Sequence, residues 1–346
     1  MELGVGVIGC GRWGQNYVRV FHELPSARIV GVSDSDPERL SLIRRRYPHL
    51  RTFARPVELL DQSDLEAVVV ALPVSAQAEV VRAALLRQKH VLAEKPLVAD
   101  VQQGVELVEL ARRTQATLMV GYVFLYNPAV RKLKQHIQDS PRGIGELYYL
   151  YATRTALGPV RKDVNVAWDL AAHDIAIFSY LLESKPSTVN AVGSRFLGNS
   201  REDVVFATLT YPNEVLGHIH VSWADPNRVR QVVVVGSRQR ILYDDLNIQE
   251  QLRIFEKSVY SSGKDTDSFG EFILAIRDGD VLSPKIEVSE PLKNQCEQFL
   301  EAVQNRLSPL ADGAFALDVL HVLSALQRSL DLNGAAVKIS YEHSPR

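Results

Sequence analysis

Close to the first residue an apolar run gives way to glycines, Val5-Gly6-Val7-Ile8-Gly9-Cys10-Gly11-Arg12-Trp13-Gly14. This G-x-G-x-x-G spacing narrows the possible folds more than any other feature of the chain. Gly9 permits a tight turn after a strand, Gly11 lets backbone approach a pyrophosphate, and Gly14 lets the following helix pack close to the strand. The free N–H groups at that helix's start then face an anion. A second apolar run, Arg28 to Ser33, ends in Asp34, about twenty residues beyond the last glycine, where a ribose-binding carboxylate belongs. The pattern predicts a dinucleotide site built on Gly9, Gly11, Arg12, Trp13, Gly14 and Asp34. The negative charge of Asp34 disfavours a 2′-phosphate and Ser35 supplies no compensating cation, so NAD is expected over NADP. Arg39 is the residue in the next helix that could reach such a phosphate. The competing reading is structural, with Asp34 starting a turn and capping the helix that begins at Pro37.

The 346 residues, 46% of them hydrophobic, suffice for two ordinary cores. A formal net charge of −2 with dispersed lysines and arginines gives no reason to expect nucleic acid. The two cysteines, Cys10 and Cys296, provide neither a disulfide framework nor a cysteine-rich metal site, which suits the cytoplasm. No apolar run approaches the roughly 20 residues that span a bilayer, so no membrane partner is expected. A cleavable leader is not expected either, since its removal would take the first strand with it.

Up to residue 121, short β-branched runs alternate with amphipathic ones. Strands are expected over Ala67 to Leu72, His90 to Ala93 and Thr117 to Val120, and helices over Ala76 to Gln88 and Val101 to Thr114. This predicts an α/β Rossmann domain over 1–121. Beyond Asn127-Pro128, a helix through Ile137 precedes β-rich stretches at Glu146 to Thr155, Val189 to Phe196, Val204 to Tyr211, Val215 to Trp223, Val229 to Val235 and Gln239 to Tyr243. Their short turns predict an α+β substrate-binding and oligomerisation domain over 122–346, with an open, largely antiparallel sheet. Residues 261–268 read as a loop, Pro291 to Arg306 and Asp312 to Leu330 as helices, and Ala336 to Ile339 as a final strand.

Glu94-Lys95-Pro96 follows the strand that ends at Ala93. Ligands of open α/β sheets collect at the carboxyl ends of strands, so Lys95 points toward the cofactor crevice, with Leu72, Pro73 and Glu94 lining it. A lysine there can relay a proton or hydrogen-bond a substrate oxygen; the alternative is a solvated lysine. Farther on, Trp168-Asp169-Leu170-Ala171-Ala172-His173 opens an apolar helix, and the four-residue spacing puts Asp169 and His173 on one face. A carboxylate and an imidazole together suit hydroxyl binding and general acid-base chemistry. The structural alternatives are a helix cap for Asp169 and a packed histidine for His173. No third clustered ligand accompanies them, so no metal is expected.

With these three motifs in this order, the chain resembles the Gfo/Idh/MocA oxidoreductase family, named for glucose-fructose oxidoreductase and inositol dehydrogenase. The resemblance spans nearly the whole chain. It implies that Lys95 and His173 lie beside the nicotinamide and the reacting carbinol with Asp169 assisting, that the Lys-Pro bond is often cis, and that the helix 312–330 returns to the nucleotide domain. One departure is Gln77, where relatives commonly carry histidine. Segments 121–128 and 154–165 are similar to those of nucleotide-sugar 3-dehydrogenases acting on UDP-N-acetylglucosamine or UDP-N-acetylglucosaminuronic acid. This implies a nucleotide-sugar site including Tyr122, Phe124, Arg154, Arg161 and Asn165 with Lys95, Asp169 and His173. It also implies a homodimer or homotetramer, and a 3-keto product passed to an aminotransferase for amino sugar and lipopolysaccharide assembly. The uncharged sugar is preferred. His173 is the expected base, although its role and that of Lys95 are exchangeable. Another sugar or cyclitol dehydrogenase, a keto-sugar reductase and a catalytically silent NAD sensor are the other readings.

Overall fold

The computed structural model describes residues 2–138, 143–198, 200–261, 274–277 and 279–341. The chain divides into two compact units. The first comprises 1–127, 289–324 and 340–346; the second comprises 128–288 and 325–339.

The first unit is built on β1 (Leu3–Ile8), β2 (Ala27–Ser33), β3 (Arg51–Phe53), β4 (Ala67–Val70), β5 (His90–Ala93) and β6 (Leu118–Val120). They form one sheet in the order β3-β2-β1-β4-β5-β6, every pair parallel. This is the doubly wound order, whose topological switch lies between β1 and β4. Parallel strands covered on both faces need continuous apolar sequence, and every residue of β1 and β4 is buried. The crossovers are α1 (Arg12–Glu23), α2 (Pro37–Arg46), α3 (Pro56–Leu60), α4 (Val74–Leu86) and α5 (Val101–Thr114). α1 buries Tyr17, Val18, Val20 and Phe21 along one stripe and leaves Arg12 and Trp13 exposed. α4 starts at Val74, two residues earlier than the sequence suggests, because Pro73 supplies its N-cap and Val74 is buried.

In the second unit, α6 (Pro128–Gln138) is followed by β7 (Leu147–Leu157), a π-helical turn over Ala167–Ala171 that runs into α7 (Ala172–Leu182), and the strands β8 (Thr188–Ser194), β9 (Val204–Thr210), β10 (Leu216–Ser222), β11 (Ala224–Gly236), β12 (Arg240–Asp244), β13 (Leu252–Phe255), β14 (Ser258–Ser261), β15 (Leu274–Arg277), β16 (Val281–Leu282) and β17 (Val337–Lys338). The main sheet runs β16-β13-β12-β11-β7-β10-β9-β8-β17; β14 and β15 pair separately. All its pairs are antiparallel except β7 with β10, which run parallel because α7, β8 and β9 intervene between them. β9 and β10 alternate buried with exposed positions, as one-sided burial demands. The buried side carries Leu150, Ala152, Val205, Ala207, Ile219 and Val221. The other side exposes Tyr149, Val192, Phe206 and Leu216, and the Phe206 and His220 rings stack at 4.3 Å. Of the expected loop 261–268, residues 262–268 lie outside the described residues.

Two helices complete the first unit. α8 (Pro291–Asn305) buries Leu292, Cys296 and Phe299, and Arg19 of α1 pairs with Glu290 at its start. α9 (Gly313–Asp331) begins in the first unit, where Leu317 and Leu320 close on Gly104 of α5, and enters the second from residue 325. The first unit runs to residue 127 and takes in 289–324, so it includes the start of α9, the helix expected to return to the nucleotide domain. Among the described residues, no helix is long and apolar enough to cross a membrane.

Candidate active site

The glycine loop has the shape the sequence expects. Gly9 adopts φ +93°, which a side chain disfavours, and a Cβ there would strike the carbonyl of Ala71. A Cβ on Gly14 would run into the carbonyl oxygen of Gly9, so only glycine lets α1 lie this close to the loop. At Gly11 the nearest atom to an added Cβ is Arg39 Nη1, 3.9 Å away, leaving room for a pyrophosphate. α1 has no acidic residue in its first turn and no side-chain cap, so its leading amides are not spent on a carboxylate. Asp34 stands at the end of β2, 7% exposed; its Oδ2 accepts from the Cys10 amide at 2.7 Å and its Oδ1 from the Asp36 amide at 2.8 Å. It therefore ties the glycine loop to the loop before α2, while Asp36, not Asp34, caps that helix. These residues fit a dinucleotide. Cys10 lies inside the loop with its thiol pushed up to about 12 by burial and then by Asp34, which leaves it inert.

Lys95 is half-buried just beyond β5, and the Lys95–Pro96 bond is cis. Three helices of the same unit hold the segment around it. From α1, the Tyr17 hydroxyl donates to Glu94 Oε1 at 2.7 Å; from α8, Gln295 Nε2 donates to that hydroxyl at 2.9 Å. Burial, reinforced by Glu94, keeps the Tyr17 phenol well above its ordinary pKa and therefore protonated. From α4, Gln77 Nε2 faces the carbonyl oxygens of Glu94, Pro96 and Leu97 at 2.7, 2.9 and 2.9 Å. Gln77 is thus a buried brace for the lysine's backbone. Leu72 is half-buried and Pro73 exposed at the β4–α4 junction.

In the second unit, Asp169 and His173 are both half-buried at the head of α7, with Asp169 inside the π-helical turn. Such turns recur at functional sites because they re-aim side chains. Asn165 caps this turn: its Oδ1 accepts from the Trp168 amide, while its Nδ2 donates to Glu202 at 2.8 Å and Gln327 at 2.9 Å. Arg161 reaches Asp169 Oδ1 at 3.2 Å through Nη1 and grips Asp163 with Nε and Nη2. Its guanidinium is held above its ordinary pKa, first by the Asp163 hydrogen bond.

Three residues expected at the substrate are enclosed within their own units. Arg154 lies within β7, 5% exposed, with three hydrogen bonds of 2.7–3.2 Å to Asp174, itself 1% exposed. Its positive charge is needed there to offset a buried carboxylate. Asn165 is 3% exposed and engaged as a cap. Tyr122 is 1% exposed and packs edge-on to Phe315 at 5.9 Å, in the first unit; Phe124 beside it is half-buried. Tyr17, Gln295 and Glu202 had no sequence signal, since each acts through a partner the chain brings from elsewhere, and Asp163 was missed although its partner Arg161 is only two residues away. Among the described residues no cluster of histidine, cysteine or carboxylate side chains is arranged to hold a metal.

Comparison with known proteins establishes the family and the fold. Residues 3–122 match the oxidoreductase-family model with an NAD-binding Rossmann fold, and residues 130–242 match the C-terminal domain of the same family. A UDP-N-acetylglucosamine 3-dehydrogenase from Acidithiobacillus ferrooxidans is 26% identical over 321 residues, 92% of this chain and 95% of that protein. Inositol 2-dehydrogenase 2 from Saccharopolyspora erythraea is 30% identical over 228 residues, 64% of this chain and 67% of that protein. The solved structure of the UDP-N-acetylglucosamine 3-dehydrogenase GnnA from Acidithiobacillus ferrooxidans superposes with a TM-score of 0.81 at 23% identity, covering 96% of this chain and 99% of that one, which shows the shared fold. The chain belongs to the Gfo/Idh/MocA oxidoreductase family, and its first unit is an NAD-binding Rossmann domain.

Proposed function

We propose that the protein is an NAD-dependent dehydrogenase that oxidises the C3 hydroxyl of UDP-N-acetylglucosamine to the ketone. What supports this reading is the presence of Lys95, its backbone braced at the end of β5 in the dinucleotide unit, and of Asp169 and His173, four residues apart and half-buried at the head of α7. The sugar nucleotide is chosen because the 3-dehydrogenase relative is matched over 92% of this chain. The inositol dehydrogenase is matched over only 64%.

In this reading His173 takes the hydroxyl proton as the hydride leaves. Lys95 donates a hydrogen bond to the same oxygen, and Asp169, steadied by Arg161, orients it. Bound NAD supplies the hydride acceptor. Holding these groups in register over one carbon lowers the barrier by removing the entropy of assembling them. Tyr17, Gln295 and Gln77 contribute by fixing the backbone that carries Lys95. The 3-keto product suits a following aminotransferase, and the uncovered aromatic face of the second unit's sheet pairs with a second copy as a dimer or tetramer.

The test is NADH formation, followed by its absorbance, with UDP-N-acetylglucosamine, UDP-N-acetylglucosaminuronic acid, myo-inositol and free N-acetylglucosamine. Turnover with the first well above the others is expected, and His173→Ala should abolish it while leaving NAD affinity unchanged. Turnover with inositol alone would replace the substrate, since the inositol dehydrogenase similarity favours a cyclitol as the second reading. Normal NAD binding with no oxidation of any polyol would leave a silent NAD-binding protein.

A further inference from the structure

We propose that Gln327 of α9 is a positioning residue that holds the π-helical turn carrying Asp169, and so sets the direction of Asp169 relative to His173. The proposal rests on the roles of Asp169 and His173 in the proposed oxidation. The turn spans Ala167–Ala171, and its sequence, Ala-Trp-Asp-Leu-Ala, contains no glycine or proline. Alanine and leucine are among the strongest formers of ordinary α-helix, so the local sequence gives no reason for a wider turn. The π form is rare, and here contacts from outside the segment must impose it.

Those contacts meet on one atom. Gln327 Oε1 accepts from Asn165 Nδ2 at 2.9 Å, just ahead of the turn, and from Trp168 Nε1 at 3.3 Å, within it. An amide oxygen has two lone pairs, and both are thus engaged. The amide cannot turn over: its Nε2 donates to Asp331 Oδ1 at 3.1 Å, and a reversed NH2 would face two donors. Asn165 and Trp168 are 3% and 8% exposed, so losing this acceptor would leave buried donors without a ready substitute in bulk water. Asn165 Oδ1 also accepts from the Trp168 amide at 3.2 Å, and its Nδ2 donates to Glu202 at 2.8 Å, which fixes Asn165 itself. Asp169 is the next residue after Trp168. Each residue of an α-helix advances about 100° around the axis, so loss of the extra residue in the π turn swings Asp169 by up to that angle with respect to His173. Arg161 reaches the Asp169 carboxylate at 3.2 Å only where the backbone delivers it.

Two variants of the full chain test this, by crystal structure and by the kinetics of NADH formation. Gln327→Leu removes the acceptor at similar size. The exchange Gln327→Glu with Asp331→Asn restores it, since one carboxylate oxygen faces Asn165 and Trp168, the other accepts from the new amide at position 331, and the net charge is unchanged. In the Gln327→Leu crystal the segment 167–171 should rewind to α-helix and carry the Asp169 carboxylate away from its present place. Its kcat should fall about tenfold to hundredfold, with KM for UDP-N-acetylglucosamine and NADH affinity within about threefold of wild type, and the exchange should recover most of the kcat. Trp168→Phe removes one donor and keeps an aromatic ring; its smaller fall in kcat decides the matter if Gln327→Leu does not fold. An unmoved turn, kcat at the wild-type level, a raised KM at constant kcat, or an exchange no better than the leucine variant each overturns the proposal. A wild type that oxidises none of the sugars would instead overturn the reading of function, and the path of residues 167–171 in the Gln327→Leu crystal would still decide what Gln327 does.

Discussion

Breaking the Arg154–Asp174 pair is the perturbation whose size the structure sets most sharply. Both side chains are almost fully enclosed, and Nε and Nη2 of Arg154 make three bonds to the two oxygens of Asp174. In Asp174→Asn one oxygen becomes an NH2 facing the Nε donor, so a buried guanidinium keeps its charge and loses the carboxylate hydrogen-bonded to it. Removing one partner of a buried pair costs about 3–5 kcal/mol. For a unit of this size that corresponds to a fall in Tm of about 6–20 °C. Arg154→Met with Asp174→Leu removes both charges and should recover most of the loss, since an apolar replacement leaves no uncompensated ion. Urea unfolding followed by tryptophan fluorescence reads the correct unit. Of the three tryptophans, Trp168 and Trp223 are buried in the second unit and Trp13 is 44% exposed in the first. The double variant also separates packing from substrate binding. If Arg154 acts only through Asp174, kcat/KM stays within about threefold of wild type. A single variant within about 1 kcal/mol of wild type, or a double variant no better than the single, refutes the buried-pair reasoning.

Gly14→Ala should weaken NADH binding by at least about tenfold, because its methyl must displace either α1 or the Gly9 carbonyl; unaltered affinity in a fluorescence titration would show that the cradle tolerates a Cβ. Arg161→Gln releases Asp169 and should lower kcat with KM for the sugar nucleotide little changed, whereas a raised KM at constant kcat would make Arg161 a direct substrate ligand. Burial pushes the His90 imidazole below its ordinary value against the pull of Glu66, and its neutral Nδ1 accepts from the Thr117 amide at 2.9 Å. The depressed folded pKa means this contribution to stability is full above the unfolded value of about 6.5 and is lost as pH falls through the folded one. His90→Asn, which keeps an acceptor but does not titrate there, should flatten the fall of Tm below pH ~6.5, and an identical pH profile would remove His90 from the explanation.

What could be read from the sequence was what is encoded locally. The glycine spacing fixes a turn within ten residues, and the alternation of apolar runs fixes the parallel sheet. What escaped depends on distant segments. Arg154 looked like a free donor because its partner, Asp174, lies twenty residues on, across the strand-to-helix connection. Gln77 looked like a missing histidine, yet its amide braces the Glu94–Leu97 backbone. Tyr17 and Gln295 carried no signal at all, since 278 residues separate them. The parallel β7–β10 pair is equally illegible, because short turns announce antiparallel neighbours but not which strand slips between them.

The most direct measurement is a crystal structure of the full chain with NAD and UDP-N-acetylglucosamine bound. The expected result has Lys95 Nζ and an imidazole nitrogen of His173 both about 3 Å from the oxygen on C3, with that carbon facing the nicotinamide. A sugar seated with either side chain far from that oxygen, or with another carbon toward the nicotinamide, contradicts the proposed oxidation.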